Sequence, residues 1–331
     1  MQKILVICGP TGVGKTATAI HLATLLNGEL VSSDSRQVYK GMDIGTGKDL
    51  PKKNRIKNLE LRINFRTNNY ELFAYDMSGV PIWMYDVVRP GDDFSVSHFQ
   101  SLAAHVIKNI WSRGKLPILV GGTGFYIDAL LNPPDTIAVP RDSKLRKELQ
   151  TLSAVELRLK LDAISSTILA SMNNSDRNNP RRLVRRIEVA MNKSTYRSVN
   201  ILPAADVLMI GLTAPKQKLD KKIDARVDGR INAGIIQEIK SLLDAGYSWK
   251  MSSMSGLGYI QWEKYFDVPV PEQKKLVPSI IQEWKMAEHR YAKRQLTWFQ
   301  KRKEVCWYDS SVPGYERDIA ERVNAWYTGK R

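Results

Sequence analysis

The stretch VICGPTGVGKTATA, residues 6 to 19, constrains this chain more than any other. Gly9 to Thr16 read GPTGVGKT, which satisfies GxxxxGKT in the context the motif requires. A short β-rich run from Lys3 to Cys8 precedes it, and helical apolar spacing at Ile20, Leu22, Ala23 and Leu26 follows from Lys15 onward. The glycines let successive backbone N–H groups curl round an anion, the helix N-terminus adds partial positive charge, and Lys15 adds a full one. Such a loop holds a phosphate or diphosphate. Gly9, Thr11, Gly12, Gly14, Lys15 and Thr16 are the expected diphosphate-binding residues, with the Thr16 hydroxyl able to hold Mg²⁺. The loop alone leaves open whether the diphosphate belongs to bound ATP or to another donor.

The rest of the chain sets this loop in a larger α/β frame. ELVSS gives a second strand ending at Asp34, so the chain opens with the βαβ unit of a parallel sheet, whose ligands bind beyond the carboxyl ends of the strands. IWMYDVV (82 to 88) and LPILV (116 to 120) read as further strands. Between them a helix from Ser97 to Trp111 places Phe99, Leu102, Val106 and Ile110 on one face. DVLMIGL, residues 206 to 212, reads as the last core strand. Within 52 to 79, LELRINF and YELFAYD alternate around TNN, which predicts a two-stranded excursion. From Arg141 to Ser198 the chain is helical and basic, yet it lies between two core strands. After Leu212 come a helical stretch from Lys218 to Ala245, a turn at SGLGY, and a last helix from Pro271 to Lys303. The expected architecture is a P-loop NTPase-like parallel sheet core from 1–135 and 205–331, with C-terminal helices and an inserted all-helical lobe at 136–204.

Charge narrows the partners. Fifty Lys and Arg stand against 34 Asp and Glu, a net charge of +16 that draws in polyanions such as RNA. Two cysteines, Cys8 and Cys306, make neither a disulfide framework nor a metal-binding pair, as expected in a reducing cytoplasm. The opening run ILVIC is too short for a secretion signal, and no segment approaches the ~20 apolar residues of a membrane span. Histidines 21, 98, 105 and 289 lack metal-ligand spacing and read as packing or surface residues.

Two further stretches fall on the ligand side of the sheet. SSDSRQVYKGMDIGTGK, residues 32 to 48, begins where the second strand ends and puts Asp34 beside the loop, as a partner for a metal or a nucleophile or as a plain turn former. LPILVGGTGFY puts Gly121, Gly122 and Thr123 at another strand tip. An ATPase is expected to carry an aspartate there, so their presence weakens an ATP-hydrolysis reading.

GPTGVGKT, DSRQVYKGMDIGTGK, GGTGFY, RRLVRRIEV, LDKKIDARVD and AKRQLTWF, in this order along most of the chain, resemble the tRNA dimethylallyltransferase family. The resemblance implies a Mg²⁺-dependent, monomeric cytoplasmic enzyme with no membrane association. It would transfer a dimethylallyl group from dimethylallyl diphosphate to the exocyclic amine of the adenosine just 3′ of the anticodon in a tRNA anticodon stem-loop. It further implies that Asp34 accepts a hydrogen bond or proton from that amine, that Thr123 contacts the donor, and that Arg226 clamps its phosphates. Read from residues alone, Thr123 could instead shape a turn and Arg226 lie on a solvated helix face, with Lys222 the competing clamp. The target base must leave its stack, so the tRNA is to be held by charge and by aromatic stacking. Arg181, Arg182 and Arg185 in RNNPRRLVRRIE suit the first need, as do Lys293 and Arg294 in a final helix where seven Lys and Arg oppose two Glu from Ile281 to Lys303. Trp284, Tyr291 and Trp298 are interleaved there, as base platforms or as helix packing. By resemblance Ser35, Arg36 and Gln37 touch the neighbourhood of the target nucleotide, and Gly258 and Tyr259 in SGLGY lie along the tRNA. Two segments depart from the family pattern: IWMYD at 82 to 86 stands where a histidine-bearing HHLID-like segment is usual, and GTGK replaces the commoner GTAK. Rival readings are an adenylate isopentenyltransferase acting on free nucleotides, an ATP-dependent nucleotide or nucleic-acid kinase, and a non-catalytic RNA-binding module.

Overall fold

In the run from Ile4 to Cys8 every side chain is buried, which is how a strand reads when both faces of its sheet are covered. That strand, β1 (Gln2–Cys8), is central. The computed structural model describes residues 1–50, 54–192 and 201–329. Further strands are β2 (Gly28–Ser32), β3 (Arg55–Phe65), β4 (Asn68–Met77), β5 (Val80–Trp83), β6 (Leu116–Val120), β7 (Ala205–Thr213) and β8 (Val305–Asp309). They form one sheet in the order β3-β4-β5-β2-β6-β1-β7-β8. β1 runs parallel to β6 on one side and to β7 on the other, and β2 lies parallel to β6 and β5. Only the β3–β4 and β4–β5 pairings are antiparallel.

Alternation along the strands sends residues to two cores. Ile4, Val6 and Cys8 join Phe99, Leu102, Val106 and Ile110 from α2 (Val96–Ser112), the face read from the sequence. Leu5 and Ile7 join Leu22 from α1 (Lys15–Leu26) on the other side. Each fully buried Leu, Ile or Phe contributes about 1.5–3 kcal/mol, so both faces are held apolar side chain by apolar side chain. A third helix, α3 (Gly124–Leu131), follows β6 directly.

The chain divides into two compact units, Met1–Leu131 with Ile201–Arg331, and Asn132–Asn200. The second unit contains α4 (Ser143–Leu149), α5 (Ala154–Ile164), α6 (Ser166–Ser171), α7 (Asn174–Arg177) and α8 (Pro180–Met191), and no strand among its described residues. Its own core is Leu149, Leu157, Leu161, Met172, Leu183, Val184 and Ile187. Helix α8 starts where a sequence rule puts it: the Asn179 side chain accepts from Arg182 N–H, and Pro180 fills the first turn. Ser198, the expected end of the helical run, lies outside the described residues, as do Lys52 and Lys53 at the start of the excursion.

Three expectations need correction. The strand expected at 82 to 88 stops at Trp83, because Met84 (φ 71°) and Asp86 (φ 53°) turn the backbone left-handed. That turn delivers the buried Asp86 carboxylate to Lys48 and to Tyr75 Oη, 3.0 Å away. The two-stranded excursion forms as expected, β3 pairing antiparallel with β4, and β4 also pairs with β5, so it widens the main sheet. The helical stretch after Leu212 is two helices, α9 (Lys216–Asn232) and α10 (Ile235–Asp244), broken at Gly234 with φ 94°. β7 is not the last strand. After α11 (Glu263–Phe266) and α12 (Val270–Phe299) the chain adds β8 parallel to β7 and closes with α13 (Tyr315–Thr328), whose Ile319 and Val323 complete the second core. Among the described residues no helix is long and apolar enough to cross a membrane.

At the amino end of β2 a fully buried carboxylate, Glu29, binds the Arg113 guanidinium with Nη2 at 2.7 Å, Lys115 Nζ at 3.0 Å and Trp83 Nε1 at 2.9 Å. Burial works against the charge and these three donors outweigh it, holding the carboxyl below its ordinary range. Replacing Glu29 by Ala leaves Arg113 facing a buried void, and a loss of about 3 kcal/mol or more is expected in urea unfolding; a loss below about 1 kcal/mol would show that the cluster carries little of the stability.

Candidate active site

The loop after β1 depends on one bare backbone position. Gly9 has φ 136°, and a Cβ there would meet Leu212 O at 2.3 Å, so the chain turns flush against β7 as no other residue could. Gly14, with φ 102°, then starts α1. Lys15 follows as its first residue and sends Nζ back to Pro10 O at 2.7 Å. Burial and the nearby Arg226 push its pKa down to about 8, opposed by Asp34. Cys8, beneath the loop, is pushed up to about 12 by burial and is an inert packing thiol.

In front of the loop lies a cavity of about 360 Å³ at the carboxyl ends of β1, β2 and β6, the end of a parallel sheet where ligands bind. Thr11, Lys15 and Thr16 line it from the loop, Asp34, Ser35, Arg36 and Gln37 from the end of β2, and Gly121 and Gly122 from the end of β6. Arg226 reaches in from α9, and Tyr291 and Arg294 from α12. The structure thus brings together residues drawn from five separated motifs. Asp34 Oδ1 accepts from Arg36 N–H at 2.8 Å, which fixes the carboxylate at the rim of the β2 turn. Arg226 donates to Thr11 Oγ1 at 3.0 Å and to Asp49 Oδ2 at 2.8 Å, while Lys222 is exposed and does not line the cavity. Between the two candidate clamps, Arg226 is the one at the site. Gln37 is tied down by Ser32 Oγ at 2.8 Å and by Gly47 O at 3.0 Å.

Some expected contacts are placed elsewhere. Thr123 is not one of them: it is partly exposed, and its hydroxyl accepts from Ser35 N–H at 3.3 Å and lies beside the Tyr291 hydroxyl, both of which line the cavity. Tyr259 is fully buried and donates to Glu238 at 2.7 Å. Gly258 is pressed against Trp284, 2.7 Å from where its Cβ would be. Both support the site from within and cannot lie along an RNA surface. Trp284 is likewise buried packing. Trp298 is 41% exposed and donates to Asp128 at 3.1 Å. Lys293 is exposed but outside the cavity wall. In the other unit Arg181 is exposed and Arg182 pairs with Asp176. Arg185 is spent on Thr136 O, Val139 O and Glu188, so it anchors its own unit and is not a free cation for RNA.

Three residues that organise the site were not singled out from the sequence. Gln295 accepts from Thr11 N–H at 2.8 Å and donates to Gly122 O at 3.1 Å, joining the two glycine turns. Glu238 accepts from the N–H groups of Asp43, Ile44 and Gly45 at 2.9, 2.8 and 3.1 Å and holds the turn of the GTGK segment. Arg230 lines the cavity one helical turn beyond Arg226. A glutamine inside AKRQLTWF and an arginine at four-residue spacing were visible, but nothing in their spacing named a partner. The buried Lys48 completes the frame, donating to Tyr39 O and Asp43 Oδ1, both at 2.7 Å.

Residues 37–302 match the family model described as IPP transferase, and residues 2–65 match a second, described as isopentenyl transferase. The chain belongs to the IPP transferase family. It is 37% identical to the tRNA dimethylallyltransferase of Roseiflexus sp. (strain RS-1), over 98% of this chain and 99% of that protein. It is 33% identical to the tRNA dimethylallyltransferase of Bacillus pumilus (strain SAFR-032), over 99% of this chain and 96% of the relative. Among solved structures, the tRNA isopentenylpyrophosphate transferase from Bacillus halodurans aligns with a TM-score of 0.66 and 33% identity, covering 98% and 96% of the two chains. A eukaryotic dimethylallyltransferase solved acting on tRNA shares the fold, with a TM-score of 0.77 at 24% identity, over 100% of this chain and 81% of that one.

In this IPP transferase the two departures from the family pattern have local causes. IWMYD ends in the Asp86 that pairs with Lys48, and Gly47 of GTGK adopts φ 62° against two arginines. Among the described residues no group of three His, Cys, Asp or Glu could hold a metal ion.

The Lys15 value gives the anion site a pH dependence. Lys15 must be protonated to attract an anion, and a bound anion raises its pKa, so affinity is full below about 8 and falls as pH rises through that value. Measured by calorimetry with inorganic pyrophosphate, the ratio of wild-type to Lys15→Arg affinity is expected to fall about tenfold between about pH 7.5 and pH 9.5, the arginine staying charged throughout. A ratio that does not change with pH would show that Lys15 is not the titrating cation.

Proposed function

We infer that this protein transfers a dimethylallyl group from dimethylallyl diphosphate to the exocyclic amine of the adenosine just 3′ of the anticodon in tRNA. Its family supports the reaction class. The observation that carries the reading is the convergence, in one cavity, of Lys15, Thr16 and Arg226 with the Asp34 carboxylate. The cations suit a leaving pyrophosphate, and the carboxylate suits an attacking amine.

In the proposed reaction the adenine amine nitrogen bonds to C1 of the allylic group as the C1–O bond breaks and its electron pair leaves with pyrophosphate. Lys15, Arg226 and the amides of the glycine loop stabilise the charge that develops on the leaving oxygens. Asp34, oriented by Arg36 N–H, takes the proton released from the amine. Tyr291, at the wall beside Thr123 and kept a neutral phenol by burial, offers the flipped base an aromatic edge and a hydroxyl. Thr123, bonded to Ser35 and beside Tyr291, contacts the donor in this scheme, and Gln37 keeps the β2 turn in place.

The site fits Mg²⁺. The Thr16 hydroxyl, at the start of α1 in the cavity wall, suits an ion that keeps most of its waters and takes the remainder of its shell from phosphate oxygens. Thr16 would hold it, and the ion would add charge stabilisation to the leaving diphosphate. We assign the Asn132–Asn200 unit, with Arg181 and Arg182 on α8, to binding the tRNA backbone, and we take the enzyme to act as a cytoplasmic monomer.

Purified protein incubated with labelled dimethylallyl diphosphate and Mg²⁺ is expected to label tRNA and leave AMP unlabelled; label on AMP alone would overturn the assignment of the acceptor. Asp34→Ala is expected to lose transfer by at least about a hundredfold while tRNA affinity stays within about tenfold, since a proton acceptor is removed and the basic footprint is not. Transfer at the wild-type rate in that variant would remove Asp34 from the chemistry. Neutralising Arg181 and Arg182 together should lower the salt slope of tRNA binding by about two phosphate contacts, and an unaltered slope would take α8 out of the interface.

A further inference from the structure

Arg230 is held on one side and open on the other. Its side chain is 11% exposed, and Nη1 donates to Glu288 Oε1 at 2.9 Å. The same oxygen accepts from Trp284 Nε1 at 3.2 Å, and the guanidinium carbon lies 5.8 Å from the Trp284 ring centroid. Glu288 itself is buried, so its charge is compensated only while Arg230 stays in place. Arg230 Nε, in contrast, is buried and donates to no protein atom. That N–H is closed off from the cavity, so it is the Nη groups of this guanidinium, on a side chain that lines the cavity, that can reach a ligand oxygen.

Gly47 shows where that oxygen belongs. A Cβ on Gly47 would lie 2.4 Å from Arg230 Nη2 and 2.9 Å from Arg226 Nη2, so the missing side chain is the room that both guanidiniums use. The backbone there has φ 62°, which also favours glycine. Arg226 touches the glycine loop through Thr11, so the second guanidinium points into the same end of the cavity as Lys15. Arg226 already lowers the Lys15 pKa. Asp34, Asp49 and Glu288 stand beside these three cations, and a diphosphate would add its charge where their remaining donors converge.

We propose that Arg230 is a second diphosphate-binding guanidinium of the donor site, converging with Arg226 over Gly47, and that Glu288 is its positioning residue. The inference rests on the reading of this cavity as the site of the donor diphosphate. It assigns the arginine pair to the phosphate oxygens and leaves the base to Asp34 and Tyr291. Fork-shaped, permanently charged donors suit the non-bridging oxygens of a diphosphate better than a second lysine would.

The test uses the full chain and two variants. Arg230→Gln/Glu288→Gln removes both charges together, so that neither is left buried alone, and Arg230→Lys keeps the charge but loses the fork. Calorimetry with inorganic pyrophosphate should show Kd raised about tenfold or more in the double variant and by an intermediate factor in Arg230→Lys. KM for dimethylallyl diphosphate should rise in parallel, while tRNA Kd stays within about twofold. Should the double variant fail to fold, the Arg230→Lys measurement decides by the same criteria. Unchanged pyrophosphate affinity and donor KM would overturn the proposal and leave Arg230 a packing residue. A raised tRNA Kd with unchanged pyrophosphate affinity would overturn it too, by turning Arg230 toward the nucleotide. Wild-type protein that binds no pyrophosphate would instead sink the donor-site reading itself, so the two failures are distinguishable.

Discussion

Two hydrogen bonds made by one buried amide, Gln295, hold the site together. Through Thr11 N–H it grips the loop that follows β1, and through Gly122 O it grips the turn that follows β6. Those turns belong to strands that lie side by side in the sheet, but their glycine backbones have no side chains with which to hold each other. A Cβ at Gly122 would lie 2.0 Å from the Gln295 amide nitrogen, so the turn must stay bare for the amide to enter. The long helix α12 therefore does more than cover a core face. It brings residues 288 to 295 across the mouth of the loop and makes one wall from a part of the chain almost 300 positions away.

Around that clamp, carboxylates act mainly as holders of cations and backbone. Glu288 holds Arg230, Asp49 holds Arg226, and Glu238 holds the turn at 43 to 45, while Asp86 and Asp43 hold the buried Lys48. In a chain with +16 net charge, acidic groups are the scarce ones, and the structure concentrates them where a positive group must be kept in one orientation. An oriented array of donors costs no reorganisation when negative charge develops on a leaving group, which is the physical basis of electrostatic catalysis. Asp34 differs from these carboxylates: its recorded partner is a backbone N–H of its own turn, not a cation, which suits a group that must receive a proton.

Much of this was legible in the sequence, for reasons that are local. The loop was readable because its strand, glycines and helix start lie within 14 residues, and α2 because one apolar stripe repeats at helical spacing. β8 and α13 were missed because VCWYD is short and only half-buried, taking its place only from β7 beside it. IWMYDVV was overread as a strand because periodicity cannot see the left-handed turns at Met84 and Asp86 that a buried lysine demands. Tyr259 and Gly258 were assigned to a surface from a motif that in the fold points inward.

The amino-acid sequence by itself determined the sheet that carries the loop, the family and the basic character of the molecule, because each depends on neighbouring residues or on a total. Tertiary structure alone decided that Arg226 and not Lys222 of α9 faces the cavity, and that Gln295 and Arg230 belong to the site at all. Those facts are set by distances between residues far apart along the chain, and only the packing of α9 and α12 over the sheet brings them within hydrogen-bonding reach.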